Sequence, residues 1–262
     1  MATKTDYIAV FDSGLGGISV LRHLRQQMPG ERYLYFGDSA NAPYGSRPTA
    51  EVRALTLAAA ERLMARKPLK ALVLACNTAT AAAVKELRRN YPDLIVIGIE
   101  PALKVAADHF PGGRIGVMAT EVTLREEKFD ALLHRFDESC TVTKLPMPGL
   151  VQLIERGKTG GEEIEALLRS RLESCIGNLD TVVLGCTHYP LAAEAISKVL
   201  GEGVVLLDGG PGTARETRRR LEKAGLLEQG GGELILENSR EDPEMIRLAY
   251  ELLNGERQNH GK

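Results

Sequence analysis

The chain has 262 residues, of which 44% are hydrophobic and 26% are charged, and its formal net charge is −2. This length suits one large domain or two smaller ones with a sizeable core. The near-neutral charge gives no argument for nucleic acid or a membrane surface as a partner. No apolar stretch approaches the ~20 residues that span a bilayer, and the N-terminus does not resemble a signal peptide. The sequence therefore predicts a cytoplasmic protein, in which the four cysteines stay reduced.

Short apolar runs rich in β-branched residues alternate with helical patterns along the chain. Because these runs are continuously apolar, both faces of the strands are expected to be covered by helices. The sequence predicts an α/β fold with parallel sheets, in which functional residues gather at the carboxyl ends of the strands. The predicted strands are Tyr7–Phe11, Arg32–Phe36, Ala71–Ala75, Ile95–Ile99, Arg114–Ala119, Thr141–Leu145, Thr181–Leu184, Val204–Asp208 and Glu233–Glu237. The predicted helices are Ile18–Met28, Thr49–Lys67, Ala79–Asn90, Ala102–Phe110, Val122–Phe136, Glu162–Ile176, Leu191–Leu200, Ala214–Ala224 and Pro243–Asn254.

Two segments of the first half recur in the second half. Tyr7–Gly17 (YIAVFDSGLGG) is echoed by Arg114–Thr123 (RIGVMATEVT), 107 residues later. Leu69–Arg88 (LKALVLACNTATAAAVKELR) is echoed by Leu179–Leu200 (LDTVVLGCTHYPLAAEAISKVL), 110 residues later. The nearly equal offsets indicate two similarly built halves, although a single sheet with two similar strand-turns is an alternative.

Glycine and proline cluster at Gly98–Pro101 and at Asp208–Gly212, which predicts that the chain crosses between domains there. The first predicted domain comprises residues 1–98 and 209–262, and the second, inserted domain comprises residues 99–208. We expect two similar parallel-sheet α/β domains related by a pseudo-twofold axis, with the active site at their interface.

Five segments rich in small and hydroxyl residues follow predicted strands. Backbone amides and hydroxyls in such turns bind small anions, helped by the positive end of the helix that follows. The segments are Asp12–Gly17 (DSGLGG), Gly37–Gly45 (GDSANAPYG), Ala75–Thr80 (ACNTAT), Ala119–Thr123 (ATEVT) and Gly185–Pro190 (GCTHYP).

Three functions fit these segments poorly. Gly14 and Gly16 begin like a dinucleotide-binding fingerprint, but Ser19 stands where a third glycine is needed. A zinc site built from cysteine and histidine is poorly supported, because the sequence contains no CxxC pair. A hydrolase or redox enzyme with one nucleophilic cysteine, Cys186, leaves its counterpart Cys76 unexplained.

The paired cysteines, Cys76 and Cys186, instead suit a reaction that inverts a carbon centre. One thiolate removes a proton from one face while the other thiol delivers a proton to the opposite face, and the reverse reaction exchanges these roles. A free thiol has a pKa of about 8.5, and a helix N-terminus increases its thiolate fraction. Each of the two cysteines lies just before a predicted helix. The other two cysteines, Cys140 and Cys175, are interpreted as packing residues.

Polar neighbours of the two cysteines have candidate roles. Asp12 ends the first strand and is placed to accept or orient the proton of Cys76, and His188 is placed to serve Cys186. A further group has hydroxyl or amide groups suited to a carboxylate and an ammonium, with helix capping as the alternative role. This group is Ser13, Asn77, Thr78, Thr120 and Thr187.

Taken together, DSGLGG, GDSANAPYG, CNTAT, GIEP and GCTHYP resemble the motifs of the bacterial glutamate racemase family, from about Tyr7 to about Leu221. The resemblance implies interconversion of L- and D-glutamate without pyridoxal phosphate, metal or any other cofactor. D-glutamate then enters peptidoglycan synthesis. The implied partners are the small-molecule substrate and a second copy in a homodimer, with no nucleic acid and no membrane. A racemase of aspartate or a related amino acid, and a two-lobed amino-acid-binding protein, are the alternatives.

The resemblance also assigns residues. It implies that Cys76 removes the α-proton of D-glutamate, assisted by Asp12, and that Cys186 removes that of L-glutamate, assisted by His188. Glu155 is implied to help on the Cys186 side, although composition alone favours a solvated helix residue. The implied substrate-binding residues are Asp12, Ser13, Pro43, Tyr44, Gly45, Asn77, Thr78, Thr187 and His188. The chain departs from the family pattern at Leu145 and Gly209, where the family usually has cysteine and serine.

Overall fold

The computed structural model describes residues 2–125 and 140–255, and their strands form two parallel sheets. The five-stranded sheet has the order β4-β3-β1-β2-β9, and the four-stranded sheet has the order β6-β5-β7-β8. The strands are β1 (Tyr7–Asp12), β2 (Arg32–Gly37), β3 (Leu69–Leu74), β4 (Ile95–Gly98), β5 (Arg114–Ala119), β6 (Thr141–Pro146), β7 (Thr181–Leu184), β8 (Val205–Asp208) and β9 (Glu233–Asn238).

Helices connect the strands, as parallel pairing requires. The α-helices are α1 (Ile18–Gln27), α2 (Thr49–Arg66), α3 (Asn77–Asn90), α4 (Leu103–His109), α5 (Glu121–Arg125), α6 (Leu150–Glu155), α7 (Glu162–Leu172), α8 (Ala193–Leu200), α9 (Gly210–Lys223) and α10 (Pro243–Asn254). Short 3₁₀ turns lie at Tyr44–Ser46, Glu173–Cys175 and Tyr189–Ala192. Within the described residues, no helix is both long and apolar enough to cross a membrane.

The internal repeat is visible in the strand order. The first four strands have the order β2-β1-β3-β4, and the next four have the equivalent order β6-β5-β7-β8. The predicted α/β class with parallel sheets is confirmed, and the alternative of a single sheet is wrong. The chain separates into two compact units, one of residues 2–100 and 210–254 and the other of residues 101–125 and 140–209.

Burial follows the position of each strand in its sheet. Every residue of the central strands β1 and β7 is buried, whereas the edge strands β6 and β8 are mostly exposed or half-buried. In the first unit, α1 packs against α9 and α10, and α2 packs against α3. The central strands are therefore covered by helices, as their unbroken apolar sequences predict.

The strand bounds lie within two residues of their predicted positions, but some helix ends differ. Helix α3 begins at Asn77 rather than Ala79, because Cys76 itself takes the extended N-cap position. Helix α9 begins at Gly210, four residues before the predicted start, since Pro211 is tolerated in a first helical turn.

Other differences concern the second unit. The predicted helix Val122–Phe136 is described only as α5, and residues 126–139 lie outside the described part of the chain. The predicted start at Leu191 falls in the 3₁₀ turn Tyr189–Ala192, which precedes α8. Helix α6 was not predicted, and its six residues are too few to show a helical period.

A buried ion pair lies at the amino end of the five-stranded sheet. Lys70 Nζ is 2.5 Å from Glu31 Oε2, and both side chains are fully buried. The lysine also donates to the carbonyls of Lys4 and Leu226, and Glu31 Oε1 accepts the Glu228 amide at 2.9 Å. These bonds hold the segment after α9 against the residues at the start of β2 and β3.

We expect Lys70→Met to destabilise the protein by about 3–5 kcal/mol, because it leaves the Glu31 carboxylate buried without a counter-charge. Chemical unfolding measures this loss. The double variant Lys70→Met/Glu31→Leu should recover most of it, while Lys198→Met, which removes an exposed pair with Glu165, should cost under about 1 kcal/mol. A single-variant loss as small as that of Lys198→Met would contradict the role of the pair.

Candidate active site

The carboxyl end of β1 holds a fully buried carboxylate, Asp12. The Gly14 amide donates to Asp12 Oδ1 at 3.0 Å, and the Asp38 amide donates to the Asp12 carbonyl at 2.9 Å. A Cβ atom at Gly17 would lie 2.6 Å from the Asp12 Cβ, so only glycine fits there. The turn after β1 is therefore closed tightly around this aspartate.

Cys76 lies beside this turn, at the N-terminus of α3. Its side chain is buried, and its Sγ lies 3.5 Å from Ser13 Oγ. As the N-cap residue of a 14-residue helix, Cys76 sits at the positive end of the helix dipole. This position favours the thiolate form.

Cys186 belongs to a chain of three side chains. Its Sγ lies 3.6 Å from His188 Nδ1, and His188 Nε2 lies 2.6 Å from Glu155 Oε1 at the end of α6. Burial lowers the pKa of His188, but its hydrogen bonds with Cys186 and Glu155 outweigh burial and raise that pKa well above its usual value. The arrangement favours a protonated imidazole between the thiol and the carboxylate.

The two cysteines occupy equivalent backbone positions in the two units. The residue before Cys76 donates its amide to the Phe11 carbonyl of β1 at 2.8 Å, and the residue before Cys186 donates its amide to the Met118 carbonyl of β5 at 2.7 Å. In each unit, the parallel pairing thus continues to the residue that precedes the thiol. The similarity of the two sequence segments is matched by this backbone geometry.

The loop after β2 carries Tyr44, whose buried hydroxyl donates to Asp38 Oδ2 at 2.6 Å. Burial, followed by this hydrogen bond, raises the pKa of Tyr44, so its hydroxyl stays protonated. Asn41 Nδ2 also reaches both Asp38 oxygens at 3.1 Å. Pro43 is exposed and Gly45 is half-buried beside the tyrosine.

The end of β9 supports this loop through contacts that sequence analysis missed. Asn238 Nδ2 donates to Ser39 Oγ at 2.9 Å, and the Ala40 amide donates to Ser239 Oγ at 2.9 Å. Arg240 Nε donates to the Ser39 carbonyl at 3.2 Å. These partners are about 200 residues apart, and only the pairing of β2 with β9 brings them together.

The remaining predicted residues have mixed surroundings. Thr120 Oγ1 lies 2.9 Å from Thr123 Oγ1 and accepts the Thr123 amide at 3.3 Å, as a helix cap does. Thr187 is buried and Thr78 is half-buried. Among the described residues near the two cysteines in sequence, two buried side-chain atoms lack a hydrogen-bond partner: Asn77 Oδ1 and Tyr189 Oη.

The other two cysteines differ from each other. Cys140 is buried in the apolar core of the second unit, which confirms its packing role. Cys175 lies half-buried in a 3₁₀ turn rather than in a core, so the packing interpretation is wrong for it. In the part of the chain that the structure describes, no group of three or more histidine, cysteine or acidic residues is arranged to hold a metal ion.

Comparisons with known proteins show the family of the chain. Residues 15–217 match the model of the Asp/Glu/hydantoin racemase family. The chain is 45% identical over 256 residues to a glutamate racemase of Clostridium botulinum (strain Alaska E43 / Type E3), spanning 97% of this chain and 99% of that protein.

Solved structures of glutamate racemases are also similar to this chain. Glutamate racemase from Francisella tularensis in complex with D-glutamate superimposes with a TM-score of 0.82 at 26% identity, over 96% of this chain and 94% of that one. Escherichia coli glutamate racemase, in complex with L-glutamate and the activator UDP-MurNAc-ala, gives a TM-score of 0.81 at 32% identity, over 97% and 96%. The protein therefore belongs to the Asp/Glu/hydantoin racemase family and is an isomerase.

We expect Glu155→Gln to lower the pKa of His188, because the substitution removes the negative charge that stabilises the imidazolium. An NMR titration of the histidine ring resonances measures this change, with His109, whose ring contacts the Val105 carbonyl, as internal control.

The sign of the stability effect follows from linkage. A histidine whose folded pKa exceeds its unfolded value adds stability that is complete below the unfolded pKa and is lost as pH rises through the folded pKa. The Glu155→Gln variant should therefore lose this contribution at lower pH than the native chain does. An unchanged His188 titration in the variant would contradict the assigned contact.

Proposed function

We propose that the protein interconverts L- and D-glutamate with Cys76 and Cys186 as its two acid–base groups. The observation that carries the proposal is the equivalence of the two thiols. Each follows an amide bonded to the first strand of its unit, β1 or β5, and each has a polar partner, Ser13 for Cys76 and His188 for Cys186.

The reaction consists of two proton transfers at one carbon. A thiolate removes the α-proton, the electron pair stays on the substrate as a carbanion, and the thiol on the opposite face donates its proton to that carbon. The enzyme then holds its proton on the other cysteine and must return it before the next turnover in the same direction. Fixed amide and hydroxyl dipoles must stabilise the carbanion in a site with little water.

On the Cys186 side, the proposed positively charged group is the imidazolium of His188. A protonated His188, held by Glu155, lies beside the sulfur of Cys186, which removes the α-proton of L-glutamate. On the Cys76 side, the N-terminus of α3 stabilises the thiolate, and the Asp12 carboxylate assists the removal of the α-proton of D-glutamate. The two halves of the reaction thus use different assisting groups for the same thiol chemistry.

Substrate binding has support from groups around Cys76. The buried Asn77 Oδ1, which lacks a hydrogen-bond partner among the described residues, suits the ammonium of an amino acid as an acceptor. The first amides of α3 suit a carboxylate. Ser13, Thr78 and the Tyr44 loop complete this proposed set on the Cys76 side, and Thr187 is the proposed binding residue beside Cys186.

Glutamate is favoured over aspartate by the relatives. The Clostridium botulinum protein is a glutamate racemase, and the Francisella tularensis and Escherichia coli structures contain D-glutamate and L-glutamate. The same resemblance supports the further proposals of a cytoplasmic homodimer that needs no cofactor and supplies D-glutamate for peptidoglycan.

Replacing either cysteine with serine should lower the racemisation rate by about 10²–10⁴-fold, since a serine hydroxyl is a far weaker acid than a thiol. The change is measured with L-glutamate in deuterated water, by following loss of circular dichroism together with deuterium entry at the α-carbon by NMR.

Cys175→Ser is the matched control, because Cys175 lies outside the proposed site and its replacement should leave the rate unchanged. Circular dichroism in the far ultraviolet shows that each variant is folded. Full activity in a folded Cys76→Ser or Cys186→Ser variant would contradict the two-base mechanism.

A further inference from the structure

Two tyrosines of β2, Tyr33 and Tyr35, are two residues apart and therefore lie on the same face of the sheet. Both are fully buried. The Tyr33 hydroxyl lies within hydrogen-bond distance of the carbonyls of Leu24 and Met28, at 3.0 and 2.9 Å, at the end of α1. The Tyr35 hydroxyl donates to the Gly14 carbonyl at 2.6 Å, in the turn before α1. The two phenols thus serve opposite ends of one helix.

The Gly14 residue links Tyr35 to the proposed catalytic carboxylate. Its carbonyl accepts the phenol hydrogen, and its amide donates to Asp12 Oδ1 at 3.0 Å. The amide and the carbonyl belong to the two peptide planes that meet at the Gly14 Cα, so fixing the carbonyl plane restricts the backbone torsions of Gly14 that orient the amide plane. The hydroxyl of Tyr35 therefore influences the direction of the donor that Asp12 accepts.

Close packing limits how the turn can adjust. A Cβ atom at Gly37 would lie 2.4 Å from the Gly14 carbonyl oxygen. A Cβ atom at Gly17 would lie 2.6 Å from the Asp12 Cβ and 3.1 Å from Tyr35 Cε2. The turn, the end of β2 and the tyrosine ring are thus in direct contact. Because an unpaired buried carbonyl is unfavourable, loss of the phenol should turn the Gly14 peptide towards another donor.

We propose that Tyr35 is a positioning residue for the Cys76 half of the reaction, holding the Gly14 peptide and, through it, the Asp12 carboxylate. The inference rests on the role proposed for Asp12 above. Tyr33 has the same residue type, strand, face and burial, but its hydroxyl serves the distant end of α1. It provides a matched control for the structural cost of losing a buried phenol.

The kinetic signature follows from thermodynamics. The two enantiomers have equal free energies, so kcat/KM must fall by the same factor in both directions whichever base is impaired. A slower proton transfer at Cys76 shows instead in the isotope effects. With α-deuterated D-glutamate the effect on kcat/KM should grow, and with α-deuterated L-glutamate it should shrink.

The experiment compares Tyr35→Phe with Tyr33→Phe in the full chain. Both variants should show a similar fall in thermal stability. Tyr35→Phe should lower kcat/KM by about ten- to a hundredfold, since a small displacement of a catalytic group is costly. It should also raise the isotope effect with α-deuterated D-glutamate and lower that with α-deuterated L-glutamate, relative to the native protein. Tyr33→Phe should keep kcat/KM within about twofold of the native value. If Tyr35→Phe fails to fold, 3-fluorotyrosine at position 35 keeps the ring in place, and its altered hydroxyl acidity should still shift the isotope effects.

A second readout needs no activity. The Gly14 amide resonance and its hydrogen-exchange rate report its bond to Asp12 directly, and both should change in Tyr35→Phe but not in Tyr33→Phe. If the native protein fails to racemise glutamate, the proposed function falls, and the Gly14 amide alone decides the link from Tyr35 to Asp12. The inference would be overturned by equal kcat/KM values in the two variants, by isotope effects in Tyr35→Phe that match those of the native protein, or by an unchanged Gly14 amide resonance.

Discussion

The parallel pairing of β1 with β3 determines the local geometry of the Cys76 site. The register runs from Ile8 opposite Ala71 to Phe11 opposite Leu74, so both strands end at the same edge of the sheet. Asp12 is the last residue of β1, and Cys76 lies two residues after the end of β3. In the second unit, β5 pairs with β7 in the same sense, which brings the turn that carries Cys186 to the equivalent edge. A one-residue change in register would turn every side chain of the shifted strand to the opposite face, so the buried apolar strands fix the positions of the residues at their ends.

The two units share a backbone arrangement but surround their thiols differently. Cys76 lies at the start of a long helix beside a hydroxyl, with a carboxylate in the adjoining turn. Cys186 is followed by a 3₁₀ turn, and its environment is set by an imidazole and a carboxylate from α6. The topology shared by the two units therefore explains where the thiols are placed, while local side chains give each thiol different polar neighbours.

The strands and the internal repeat were predictable from the sequence, because apolar runs indicate strands and similar segments at nearly equal offsets indicate a repeat. The strands and the prominence of Cys76 and Cys186 followed from such local patterns. The contact of Glu155 with His188 could be expected only by resemblance, since it depends on the unpredicted helix α6. The support of Ser39 by Asn238 was missed because it depends on pairing between strands about 200 residues apart.

The position of β9 also sets an order for synthesis of the chain. The four described strands of the second sheet, β5 to β8, follow one another along the chain, so no later strand is needed to complete that sheet. The five-stranded sheet also includes β9, which follows the second unit in the chain. The loop that carries Tyr44 therefore gains its contacts with Asn238 and Ser239 only after the second unit has been synthesised. The first unit thus gains its edge strand after every described strand of the second unit has been made.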